Sequence, residues 1–94
     1  MNFNNFTIKS QEIIQKAIDL TKQEGQQQIE PTHILKAMIA ESETIINFIF
    51  QKLGASLPTV VHALDKDIAS LPKVSGGNVV LSRESNDAFQ KAVD

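Results

Sequence analysis

Ninety-four residues, 41% apolar and 21% charged with a net charge of −2, describe one small domain. Its nine Lys or Arg are interspersed among eleven Asp or Glu, which leaves no basic face for nucleic acid or an anionic membrane as partner. With no cysteine there is no disulfide, thiolate metal site or thiol chemistry, and the opening MNFNNFTIKS is not a signal peptide, so the expectation is a soluble, cytoplasmic chain.

In chain order, Thr7 is placed to cap a first helix over residues 8–24, because its hydroxyl can accept a first-turn N–H. Ile13, Ile14, Ala17, Ile18 and Thr21 make the apolar stripe of that helix, and Gly25 supplies the left-handed residue that stops it. Pro31 suits the first position of a second helix over 31–41, since its missing N–H would have no helical partner. Ile34, Leu35, Met38 and Ile39 form the apolar face there. Ser42 restarts the pattern as the cap of a third helix over 43–53, with Ile45, Ile46, Ile49, Phe50 and Leu53 as its stripe and Gly54 at its end. Ser56 caps a fourth helix over 57–70, where Leu57, Val61, Leu64, Ile68 and Leu71 recur every three or four residues before Pro72. These four helices and short loops describe an all-α unit over 1–72. Residues 73–80 read as a linker centred on Gly76-Gly77, with 78–81 too short to build a sheet. Ser82 then caps a fifth helical segment over 81–94, with Ala88, Phe89, Ala92 and Val93 on one side.

That last segment repeats the first. FTIKSQEIIQKAID (6–19) and LSRESNDAFQKAVD (81–94) share five identities in fourteen positions, among them Ser10/Ser85, Lys16/Lys91 and Ala17/Ala92. The cap pair Thr7/Ser82 and the core pairs Ile14/Phe89 and Ile18/Val93 keep their physical roles. The register predicts a duplicated four-helix fold: one complete repeat, then the opening helix of a second that would run to about residue 147. The fifth helix would then keep an apolar face meant partly for helices outside this chain.

Chemistry leaves little trace. No phosphate-cradling G-x-x-x-x-G-K-[ST] occurs, and Gly76-Gly77 alone is a hinge. His33 and His62 fall on different helices with no ligand spacing between them; His33, beside an apolar stripe, reads as a buried structural histidine and His62 as a surface residue. The Ser and Thr residues at helix starts are accounted for as caps, Asp65 and Asp67 diverge around their helix, and Gln26-Gln27-Gln28 reads as a polar loop. No enzyme signature and no metal site emerge, so function must be contact.

Several of these stretches resemble the Clp amino-terminal domain, the duplicated helical module that begins bacterial AAA+ unfoldases. Phe6-Thr7 resembles the family's "FT" start, and Ile29-Glu30-Pro31-Thr32-His33-Ile34-Leu35 with Ala37 resembles "IEPxHLLxA". Leu53-Gly54-Ala55 is similar to the end of its third helix, and Ser70-Leu71-Pro72-Lys73-Val74-Ser75-Gly76 to the linker of its disaggregase branch. The resemblance implies a pseudo-twofold module on a hexameric disaggregase that binds unfolded or aggregated proteins. It also implies ATP and Mg in rings outside this chain, no cofactor within it, and the DnaK chaperone system acting upstream through another domain. The family's protease-associated branch, which docks adaptors and in one member phosphoarginine-marked substrates, carries an acid before the histidine in that member, where this chain has Thr32. A free-standing helical oligomerisation protein is the remaining alternative. Client contact is expected in a shallow apolar groove where the two repeats' first helices begin, at Thr7, Leu81 and Phe89 with Phe3 and Phe6. His33, Pro31, Gly25 and Gly54 are expected to be structural.

Overall fold

The computed structural model describes residues 7–74 and 78–93, Val93 by its backbone alone. Expectations placed on Phe3, Phe6, Gly76-Gly77 and Asp94 lie outside the described residues. The elements in order are α1 (Ile8–Gln23), β1 (Gln28–Ile29), α2 (Pro31–Glu41), α3 (Glu43–Leu53), α4 (Leu57–Ala69), β2 (Val80–Leu81) and α5 (Arg83–Val93). The fold is all-α, with the two short strands as its one departure among the described residues.

Local chemistry sets the helix ends. Thr7 is extended (φ −66°, ψ 163°), and its Oγ1 accepts the Ser10 N–H at 3.1 Å. α1 stops at Gly25 (φ 68°), where the Gly25 N–H reaches the Lys22 carbonyl and the Gln26 N–H reaches the Thr21 carbonyl, both at 3.0 Å. Two otherwise orphaned carbonyls are thereby satisfied. Gly54 (φ 71°) ends α3 in the same way, with the Ala55 N–H on the Phe50 carbonyl at 2.9 Å. Ser56 caps α4 through the Thr59 N–H.

Ser42 departs from the sequence expectation, because its side chain makes no capping bond. It is the single residue between α2 and α3 and serves both: its N–H donates to Met38 at the end of α2, and its carbonyl accepts from Ile46 in α3. Its backbone (φ −129°, ψ 38°) is not the extended form that turns a hydroxyl onto the first helical turn.

The core forms where α1 crosses α2. Ala17, Ile29 and Ala37 are sealed from solvent, and Ile13, Ile18, Leu20 and Ile34 pack around them. Small side chains at the crossing let the two backbones approach closely. Leu64 and Ile68 bury the inner side of α4, and the Lys36–Asp65 ion pair ties its exposed edge to α2.

β1 and β2 form a parallel ladder, Gln28 opposite Val80 and Ile29 opposite Leu81. This corrects the expectation that 78–81 is too short to build a sheet. Leu81 is a strand residue packed with Val79 against the Ala17–Ile29–Ala37 core, and α5 begins at Arg83. A two-residue strand has no alternation to read, so only its distant partner reveals it.

Caps of this kind contribute about 1 kcal/mol. Thr7→Ala is therefore expected to lower stability by about 1 kcal/mol in urea unfolding, with an unchanged m-value.

Candidate functional site

α3 buries none of its side chains. Ile45, Ile49 and Leu53 recur every four residues along one line, with Phe48 beside them, and all four are exposed, Ile45 at 63%, Phe48 at 60% and Leu53 at 75%. The inner side of the helix is covered only by half-burying Ile46 and Phe50. The stripe read from the sequence thus faces outward at Ile45, Ile49 and Leu53 and is half-buried at Ile46 and Phe50. The reason lies in the connection: one residue separates α2 from α3, which fixes the direction of α3 and leaves it packed chiefly on α2. Leu35 and Met38, three apart on α2, are exposed as well.

No group converges there to make or break a bond. Lys52 lies 5.5 Å from the Phe48 ring centroid, a cation held over an aromatic face with its stem along apolar surface. What such a surface can do is take up apolar side chains, weakly and without demanding a sequence. Among the described residues no cluster of three or more His, Cys, Asp or Glu side chains is placed to hold a metal. Among the same residues, no single helix is long and apolar enough to cross a membrane.

The described residues singled out from the sequence for client contact sit at three elements, Thr7 before α1, Leu81 in β2 and Phe89 in α5. Thr7 is exposed, its hydroxyl engaged with Ser10. Leu81 is half-buried at the β-ladder, and Phe89 is half-buried on α5. The repeat register reappears in geometry. Ser82 Oγ accepts the Ser85 N–H at 3.1 Å, as Thr7 does for Ser10, and the Asn86 N–H meets the Ser82 carbonyl at 2.9 Å, as Gln11 meets Thr7. The settings differ: Ser82 and Ser85 are buried, and the Ser85 hydroxyl donates to the Ile29 carbonyl at 2.6 Å.

His33 is fully buried near the start of α2. Its Nδ1 accepts the Glu30 N–H at 2.9 Å, which leaves the proton on Nε2, 2.7 Å from Gln26 Oε1. The Gln26 amide then donates to the Ile68 carbonyl at 2.6 Å. Burial holds the imidazole below its ordinary pKa against the opposing pull of Glu30, Glu24 and Asp67. Sequence reasoning missed Gln26, which is 5% exposed and not part of a solvated run. Its place directly after Gly25, where the backbone turns back over the helix end, was the available signal. Beside it, Gln26–Gln28 and Glu30 face Leu71, Pro72 and Val74 across a cavity of about 270 Å³.

Compared with known proteins, residues 5–94 match the Clp repeat (R) N-terminal domain family. The chain belongs to that family. This Clp N-terminal domain is 59% identical over 92 residues to the chaperone protein ClpB of Bacteroides thetaiotaomicron, a match covering 98% of this chain and 11% of that protein. It is 49% identical over 94 residues to ClpB of Porphyromonas gingivalis, covering 100% of this chain and 11% of the relative. ClpB of Rhodopseudomonas palustris is 33% identical over 95 residues. The domain spans about a ninth of the length of these relatives. No solved structure matches it.

Proposed function

We propose that this Clp N-terminal domain is the client-recognition module of an ATP-dependent, ClpB-type protein disaggregase. It takes up apolar segments of unfolded or aggregated polypeptide and passes them to ATPase rings that lie outside this chain. The uncovered apolar line of α3, Ile45, Phe48, Ile49 and Leu53, carries the reading. A helix that leaves most of its apolar stripe exposed offers a tolerant surface, as a chaperone that engages many sequences and releases them requires. Thr7, Leu81 and Phe89 remain the second candidate contact region, at the start of the two repeated helices.

In this reading the domain itself is not catalytic; ATP and Mg belong to the rings, which also assemble the hexamer, and the DnaK system delivers clients to the whole protein in the cytoplasm. Relatives named ClpB favour this over an adaptor-docking role beside a protease. Thr32 favours it too, since a buried hydroxyl offers no charge to a guanidinium.

Titrating the labelled domain with a permanently unfolded protein tests the reading. Micromolar or weaker binding is expected, with amide shifts along residues 45–53. Shifts confined to Thr7, Leu81 and Phe89 would move the contact to the junction, and no shifts at either place would end the proposal.

A further inference from the structure

Val74, β2 and the start of α5 are hydrogen-bonded to one short stretch, Gly25–Ile29. The Val74 N–H donates to the Gly25 carbonyl at 2.9 Å and the Val80 N–H to the Gln27 carbonyl at 2.9 Å. The Ser82 N–H and Ser85 hydroxyl both donate to the Ile29 carbonyl, at 3.0 and 2.6 Å. That stretch is in turn pinned from the other side by the Gln26 side chain, which spans His33 and the Ile68 carbonyl of α4. His33 sits at the head of this relay, and Glu30, whose N–H it accepts, directly follows Ile29.

The relay has a single permitted proton arrangement. Nδ1 accepts from a backbone N–H, so the ring must be neutral with its hydrogen on Nε2. A second proton can add only at Nδ1. It would set two donors against each other, orphan the Glu30 N–H and push the ring off the α2 start. Replacing the imidazole's position also displaces Gln26, because its carboxamide is matched to one donor and one acceptor.

We propose that His33 is a proton-sensitive latch: neutral, it fixes Gly25–Ile29 as the seat for β2 and α5, and protonation releases that seat while α1 and α2 stay paired. The charged groups facing it come from three elements: Glu24 at the end of α1, Glu30 at the start of α2 and Asp67 on α4. All three favour the cation; burial opposes them and prevails, so the latch is closed at neutral pH. The pairing of α1 with α2 has apolar contacts besides the relay: Ala17 and Ala37 pack with Ile29, and Ile13, Ile18 and Ile34 lie around them.

The test follows His33 and the junction together. In a His62→Gln background, which leaves one histidine, the ring nitrogen shifts are recorded against pH alongside hydrogen-exchange protection factors corrected for intrinsic rates. Protection of the Val80 and Ser82 amides is expected to fall at least tenfold through the His33 titration, while Ala17 and Ala37 keep theirs. Gln26→Met, which removes the acceptor of the Nε2–H and the bond to Ile68 but keeps the imidazole and its Nδ1 bond, is expected to leave Val80 and Ser82 poorly protected at every pH. The latch is overturned if Val80 and Ser82 hold their protection through the titration. It is equally overturned if they lose it only together with Ala17 and Ala37, or if Gln26→Met leaves the pH dependence intact.

Discussion

His33→Ala is expected to cost on the order of 3–5 kcal/mol of folding free energy, more than any surface substitution in this chain. Three losses combine. The Glu30 N–H, at the part-buried N-cap of α2, loses its acceptor. Gln26 Oε1 loses its donor while its amide stays committed to the Ile68 carbonyl. A fully buried ring leaves a cavity that the packed alanines nearby cannot fill. Each orphaned buried group costs roughly 1–3 kcal/mol. Against a domain stability of about 5–15 kcal/mol, that is a large share, and for a chain this small it lowers Tm by about 12 °C or more. Thermal and urea unfolding read the loss directly; a change under 1 kcal/mol would show that the relay is not a structural tie. The sign of the pH effect follows from the depressed imidazole. The unfolded chain binds the proton first, so the stability His33 contributes is complete above about pH 6.5. It declines as pH falls below that value toward the lower folded pKa, and His33→Ala is expected to flatten that decline.

The second large effect is on binding. Phe48→Glu combined with Leu53→Glu places two carboxylates on the outward line of α3, where wild-type side chains are 60% and 75% exposed. Burying an unpaired carboxylate against an apolar client segment is costly, so client affinity is expected to fall tenfold or more. Folding stability should change by no more than about 0.5 kcal/mol, because neither side chain is part of the core. Isothermal titration with an unfolded client, beside urea unfolding of the variant, separates the two quantities. Unchanged affinity with unchanged stability would remove α3 from the proposed client surface.

How much of this was visible in the sequence depends on the range of the interaction. Helix positions and stops are local: Thr7 caps its own third neighbour, and Gly25 and Gly54 take a left-handed turn whatever surrounds them. Periodicity also found the stripe on α3, but a stripe says only that one side is apolar, and what covers it is set by the direction in which the helix leaves Ser42. Gln26 was missed because a glutamine in a run of three looks solvated until His33 and Ile68, seven and forty-two residues away, are brought around it. The β-ladder was missed for the same reason, since each strand is two residues long and meaningless without the other. The duplication was legible because both copies of its cap use the same short-range bonds; that one copy is buried and the other exposed was not.

The ladder has one more consequence. Between Ile29 and Val80 the backbone makes a three-helix excursion and returns in parallel, so the two ends of that excursion are held side by side by a handful of backbone bonds. The entropy lost in closing such a loop grows only with the logarithm of its length, about 0.6 kcal/mol for each doubling. Evolution is therefore free to add residues at the connection between α3 and α4 with little penalty at the point of closure. The five residues from Gly25 to Ile29 have no such latitude, and a single insertion among them would slip every attachment that follows.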